Sequence, residues 1–204
     1  MIARISHSPP VNLPNAITLS RLVLTAVFVV AMGFDGLGGK MTALVSFSVA
    51  AATDWLDGYL ARRMGLVTPL GKLLDPLADK ILVCAAFVFM SVEGFAPVWV
   101  TAVIIGREFL VTGLRQIAIE AGQVLAADRL GKWKTGFQLT FIITALVWLA
   151  FSEMAERGMI AEFLWKLADP QSWLMPASLW LSLALTVISG ANYLWSGRGL
   201  LKAG

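Results

Sequence analysis

Six apolar stretches, each close to the ~20 residues that a bilayer's hydrocarbon core demands of a helix, constrain this chain more than any other feature. They run roughly from Asn15 to Phe34, Lys40 to Arg63, Leu74 to Val92, Pro97 to Ala121, Gly131 to Phe151 and Trp173 to Leu194. Asn15 offers an N-cap for the first. Over 204 residues the chain is 58% hydrophobic and 14% charged, whereas soluble domains run near ~45–50% and ~25%. A mean hydropathy of +0.77 points the same way, and a water-soluble helical core is the alternative these lengths disfavour. The expected fold is therefore an all-α integral membrane protein. Six transmembrane helices would form a single domain over residues 1–204, with no internal repeat and no linker long enough to divide it.

The opening, "MIARISHSPPVNLPNAITLSRL", is polar and proline-rich and lacks a small-residue cleavage pattern, so it is not expected to be a removed leader. Arg4 and Ile5 lie in a stretch that could form a short N-terminal interfacial helix. The one cysteine, Cys84, sits in an apolar run and rules out an intramolecular disulfide. With one histidine, His7, no histidine-based metal site can be assembled, so any metal would be held by oxygen. An even number of spans puts both termini on one side, together with the connections between spans two and three and between four and five. That side collects every one of the 16 Lys and Arg residues except Lys40, Arg157 and Lys166. Positive residues mark the cytoplasmic face.

On that face lies "DWLDGYLARRMGLVTPLGKLLDPLADK", which carries four aspartates in a sparsely charged chain. Asp54 and Asp57 are three apart and Asp75 and Asp79 four apart, so each pair lies on one face of its helix. A short connection should bring the pairs together near the cytoplasmic membrane surface. Four adjacent carboxylates repel one another and are costly in a membrane unless paired. Divalent cations resolve this, and an all-oxygen set favours Mg²⁺ or Mn²⁺, with room for two ions. Two ions ~4 Å apart make a clamp for phosphoryl chemistry. Gly58 and Ala61 on the same face, and Gly71 ahead of the second pair, would let a bulky ligand approach the backbone. The plainer alternative has the aspartates capping helices or pairing with Arg62, Arg63, Lys72 and Lys80.

The order Asp54, two residues, Asp57-Gly58, two residues, Ala61-Arg62, eight residues, Gly71, three residues, Asp75, three residues, Asp79 resembles the signature of the CDP-alcohol phosphotransferases, matching it at all eight positions. The resemblance implies a six-helix, usually homodimeric membrane enzyme with a dinuclear metal site. It also implies transfer of a substituted phosphate from a CDP-linked donor to an alcohol, with release of CMP. By that likeness Asp54, Asp57, Asp75 and Asp79 hold the metals, and Asp79 is also the general base. Asp54, Gly58, Ala61, Arg62 and Gly71 would contact the CDP moiety.

A second cluster bears on the acceptor. "IGREFLVTGLR" places Arg107 and Arg115 on roughly one side of the fourth span, "LGKWKTGFQ" opens the fifth with Lys132 and Lys134, and Arg21 sits inside the first. A cationic pocket beside a metal site favours an acceptor that is itself a phosphate. Lys132 and Lys134 could equally be flank charges, and Arg107 could pair with Glu108. Taken together, "REFLVTGLR" and "LGKWKTGFQ" look like the bacterial phosphatidylglycerophosphate synthases within the same family. That likeness implies CDP-diacylglycerol as donor, sn-glycerol 3-phosphate as acceptor, and a multi-pass enzyme of the bacterial inner membrane with its active site and termini facing the cytoplasm. Nucleic acid is not an expected partner.

Two other readings compete. A relative forming inositol-phosphate, serine or cardiolipin products would share the signature, although serine needs fewer cations. A cation transporter would spread its acids through the membrane depth, whereas these gather at one face. The segment "SEMAERGMIAEFLWKLADPQSW" between the fifth and sixth spans carries no readable motif.

Overall fold

A computed structural model describes the backbone of residues 13–64, 69–123 and 129–198, and the side chains of 19–53, 80–123 and 130–198. Among these residues the chain is entirely helical. The helices are α1 (Leu13–Met32), α2 (Leu37–Met64), α3 (Pro69–Val92), α4 (Val98–Glu120), α5 (Arg129–Ser152), α6 (Met159–Leu167) and α7 (Leu174–Gly197). The six long helices stand where the six apolar runs are. The N-terminal stretch expected to lie at the interface falls outside the described residues.

Three boundaries and one whole element depart from the sequence expectation: α1 begins at Leu13, which puts Asn15, the expected N-cap, inside the helix. Helix α3 begins five residues before Leu74, opened by Pro69, whose fixed φ suits a first helical position. Helix α2 begins at Leu37 and runs through Gly38 and Gly39. Helix α6 occupies the segment that showed no motif. It is nine residues long, too short to stand out against the spans.

Helix ends are set by glycines. After α3, Gly94 takes φ +80° while Phe95 N–H donates to the Met90 carbonyl at 2.9 Å and Gly94 N–H to that of Ser91 at 3.2 Å. After α4, Gly122 at φ +70° repeats the arrangement, with Gln123 N–H on the Ala118 carbonyl at 2.8 Å and Gly122 N–H on that of Ile119 at 3.0 Å. Both are Schellman closures, which satisfy the last carbonyls of a helix.

Packing runs through aromatic rings. Phe28 of α1 meets Phe47 of α2 at 5.6 Å and Phe89 of α3 edge-on at 5.9 Å. Phe87 of α3 stacks on Phe141 of α5 at 5.6 Å. Helix α1 packs on α2 and α3, α2 on α5, and α7 on α5 and α4. At the far end from the aspartates, Lys40 of α2 donates to Glu93 at 2.7 Å and fastens the start of α2 to the end of α3.

Polarity inside α7 runs against the usual pattern. Its buried face includes Ser178, Ser182, Thr186, Ser189 and Gly190, while Trp180, Leu181, Val187, Ile188 and Leu194 are exposed. The hydroxyls of Ser178, Ser182 and Thr186 donate to carbonyls three or four residues back, at 2.8, 2.8 and 2.6 Å, so none is buried unsatisfied. Small polar residues let α7 approach its neighbours closely. Among the described residues, α5 from Leu130 and α7 are long and apolar enough to cross a membrane.

Adjacent glycines at the start of α2 give a test of this packing. A methyl on Gly39 would lie 2.5 Å from the Phe34 carbonyl oxygen, whereas one on Gly38 would meet nothing. Gly39→Ala should therefore destabilise the protein by ~1–3 kcal/mol, and Gly38→Ala should be neutral or gain up to ~1 kcal/mol of helix propensity. Thermal midpoints of the two variants in detergent micelles check the contrast.

Candidate active site

The backbone carries Asp54, Asp57, Gly58, Ala61 and Arg62 on the last turns of α2 and Gly71, Asp75 and Asp79 on the first turns of α3. Four residues, 65–68, join the two helices and lie outside the description, as do the side chains of 54–79. The expected grouping of the four carboxylates thus falls outside the described side chains. Among the described ones, no three acidic, histidine or cysteine residues come together elsewhere.

The cationic cluster is described in full except for its neighbours on those helices. Glu108 of α4, 8% exposed, stands at its centre. Lys134 of α5, 3% exposed, forms a close ion pair with its carboxylate, and the Arg107 guanidinium approaches the same oxygen at 3.3 Å. Arg107 also donates to the Ser189 hydroxyl of α7 at 2.9 Å. Its stem runs against α7 where Gly190 leaves room, since a methyl there would lie 3.1 Å from the Arg107 Cγ. Two turns along α4, Arg115 donates to the Tyr193 hydroxyl at 2.5 Å. The Tyr193 ring lies between the two arginines, 5.7 Å from the Arg107 and 5.1 Å from the Arg115 guanidinium carbon.

Among the described side chains, Arg107 and Lys134 bring two positive charges against the one negative charge of Glu108, leaving one net positive charge within that triad. Arg115, an exposed residue, adds another at the edge of the cluster, held by a neutral phenol. Buried charge in excess of its partners is costly, and an anionic ligand would offset it. Two further groups face the interior unsatisfied: the Arg107 Nε and the Nε2 of Gln138, one turn beyond Lys134 on α5, are buried with no hydrogen-bond partner among the described residues.

The remaining expected cations stand elsewhere. Lys132 is exposed, about half a turn from Lys134, on the opposite side of α5. This is the position of a flanking charge rather than a member of the cluster. Arg21 is buried on α1, which packs on the aspartate-bearing α2 and α3. Glu108 was foreseen as a partner of Arg107, but Ser189, Tyr193 and Gln138 carried no signal of their own. The hydroxyls sit in an apolar run, and Gln138 in a stretch noted for its lysines.

A family model described as CDP-alcohol phosphatidyltransferase matches residues 11–188. The chain belongs to that family. A Bacillus subtilis protein named CDP-diacylglycerol–glycerol-3-phosphate 3-phosphatidyltransferase is 39% identical over 203 residues, covering 94% of this chain and 97% of the relative. A protein of the same name from Pseudomonas fluorescens is 41% identical over 141 residues, 66% of this chain and 72% of its own. One from Escherichia coli is 35% identical over 197 residues, 94% of each.

Removing the central carboxylate should be costly. Glu108→Gln strands two cations and should destabilise the fold by ~3–5 kcal/mol, the usual penalty for breaking a buried pair. Adding Lys134→Met should recover a large part of that loss, since it removes a stranded charge. Unfolding of the single and double variants in detergent, read as a double-mutant cycle, measures the coupling.

Proposed function

We propose that the chain is a six-span membrane enzyme that transfers a phosphatidyl group from CDP-diacylglycerol to sn-glycerol 3-phosphate, yielding phosphatidylglycerol phosphate and CMP. What carries the reading is the eight-position aspartate signature on the last turns of α2 and the first turns of α3. The names of the relatives support the choice of donor and acceptor. Apolar exteriors and a polar inner face on α7 support placement in a bilayer. The positive bias supports a cytoplasmic position for the aspartate end and both termini, and the bacterial relatives support a bacterial inner membrane as the location. A homodimer comes with the family resemblance.

An all-carboxylate donor set, with the one cysteine and one histidine placed outside it, suits hard divalent ions, Mg²⁺ or Mn²⁺. Asp54, Asp57, Asp75 and Asp79 would hold two of them. Bound there, they would neutralise the donor's diphosphate and stabilise charge on the attacking and leaving oxygens. Gly58, Ala61 and Gly71 offer the CDP moiety a surface free of bulky side chains, with Arg62 and Asp54 at its edge. Asp79 takes the proton from the acceptor's 1-hydroxyl. That oxygen attacks the donor β-phosphorus, the bond to the CMP oxygen breaks, and CMP leaves. Arg107, Arg115 and Lys134 hold the acceptor's phosphate, with Arg21 at the end nearer α2 and α3. Glu108 and Tyr193 fix where those cations stand, and Lys132 serves topology.

Kinetics with both substrates varied test the acceptor assignment. Arg115→Gln removes one charge-assisted contact, ~1.5–3 kcal/mol, so KM for glycerol 3-phosphate should rise about 10- to 150-fold. KM for CDP-diacylglycerol should move much less, and plain glycerol should be a very poor acceptor for the parent and variant alike. A rise confined to the donor would defeat the assignment.

Activity should also vanish in excess EDTA and return with Mg²⁺ or Mn²⁺. Ca²⁺, which prefers longer bonds and more ligands, should restore it poorly. Turnover undiminished by chelator would remove the two-metal reading.

A further inference from the structure

Helix α6 divides its surface three ways. On a wheel of ~3.6 residues per turn, Ala161 and Trp165 share one side. Trp165 is held to the last turns of α5: its ring stacks on Trp148 at 4.7 Å and its indole N–H donates to the Ser152 hydroxyl at 3.0 Å. Arg157 closes the same joint, its guanidinium 4.3 Å from the Trp165 ring centre and its Nε on the Phe151 carbonyl at 2.5 Å. Beside this anchor come Glu162 and Lys166, an exposed i,i+4 ion pair at 3.2 Å. The remaining arc, about 140° wide, consists of Met159, Ile160, Phe163, Leu164 and Leu167. None of these is buried, and Met159 and Phe163 are 90% and 65% exposed.

We propose that α6 is an interfacial helix, its apolar arc seated in the outer leaflet of the membrane at the boundary between headgroups and acyl chains. This rests on the membrane-spanning reading above. The occupant follows from where the helix is tied. Its anchor fixes it at the depth of α5's final turn, and α7 starts seven residues beyond its end. Both flanking helices are long and apolar enough to cross a bilayer, so that depth is the bilayer's edge. A face turned away from the bundle there meets lipid. The flank with Glu162 and Lys166 lies between anchor and apolar arc, where a helix lying in the membrane plane turns to water. Exposed Trp99 and Trp173, at the starts of α4 and α7, stand at the same end of the bundle, as an aromatic belt would. An amphipathic helix with its apolar face sunk into the headgroup boundary is a recognised membrane element.

Site-directed spin labelling tests this in the full-length protein. Cys84→Ser removes the native thiol, and Phe163→Cys, Lys166→Cys and Val187→Cys each supply one label site. The labelled proteins are placed in vesicles of phosphatidylethanolamine and phosphatidylglycerol, and collisions with oxygen and with a water-soluble nickel chelate are compared. At position 163 oxygen should exceed nickel severalfold, and at 166 the ratio should invert. Position 187, exposed in the middle of α7, reports on the span itself and should favour oxygen strongly. An aqueous signal at 163 with a lipid signal at 187 would overturn the interfacial helix alone. An aqueous signal at 187 would overturn the spanning reading beneath it. Exclusion of both reagents at 163 would mean that protein covers the arc, a second copy included, and would equally overturn the proposal.

Discussion

Charge can be kept inside a helical bundle with an apolar exterior only where other charges and hydrogen bonds hold it, because no water is at hand to replace them. Glu108 is where this chain meets that condition. Its carboxylate takes Lys134 from α5 and Arg107 from its own helix, and Arg107 in turn reaches Ser189 on α7. One buried carboxylate therefore fixes the mutual rotation of three helices. A turn of α4 by one residue would carry Glu108 away from α5 and leave Lys134 buried without its partner.

The small and hydroxylated face of α7 follows from the same constraint. Arg107 can lie along α7 because Gly190 gives it room, and Ser189 and Tyr193 present oxygens at the spacing of one helical turn. Larger apolar side chains on that face would pack as well against α5 but would hold the arginines off. The hydroxyls one and two turns earlier bond back to their own helix, so they leave no polar atom for the apolar surroundings to penalise.

Six of the seven described helices were legible in the sequence because run length alone marks a span. Their edges were less so: the second and third runs were read from Lys40 and Leu74, yet the Gly38–Gly39 pair and Pro69 lie within first turns, where a missing side chain or donor costs little. Helix α6 was hidden because nine residues of mixed polarity look like a loop until the chain around them is placed. The aspartates announced themselves by number and spacing. The partners of the cations did not, since whether Lys134 meets Glu108 while Lys132 turns outward depends on the rotation of α5, which a run of apolar residues leaves open. Tyr193 carries no signal in the sequence, and its place between Arg107 and Arg115 is set by two helices packing side by side.

The presence of Glu108 also bears on what the cations are for. If Arg107, Arg115 and Lys134 served only to balance the aspartates of α2 and α3, a carboxylate among them would be a waste of positive charge. Its effect is to trade some attraction for geometry: one positive charge is neutralised, and Arg107 and Lys134 gain fixed positions on two helices. A site that must recognise a phosphate by direction as well as by charge benefits from that exchange, because preorganised donors lose little freedom when the ligand arrives. A neutral hydroxyl acceptor would gain nothing from the net positive charge that remains, whereas a phosphorylated one offsets it. On the proposed reading the aspartates of α2 and α3 serve the ions and the donor, and the cations of α4 and α5 serve the acceptor. On that proposal the acceptor hydroxyl would react between the two groups of residues.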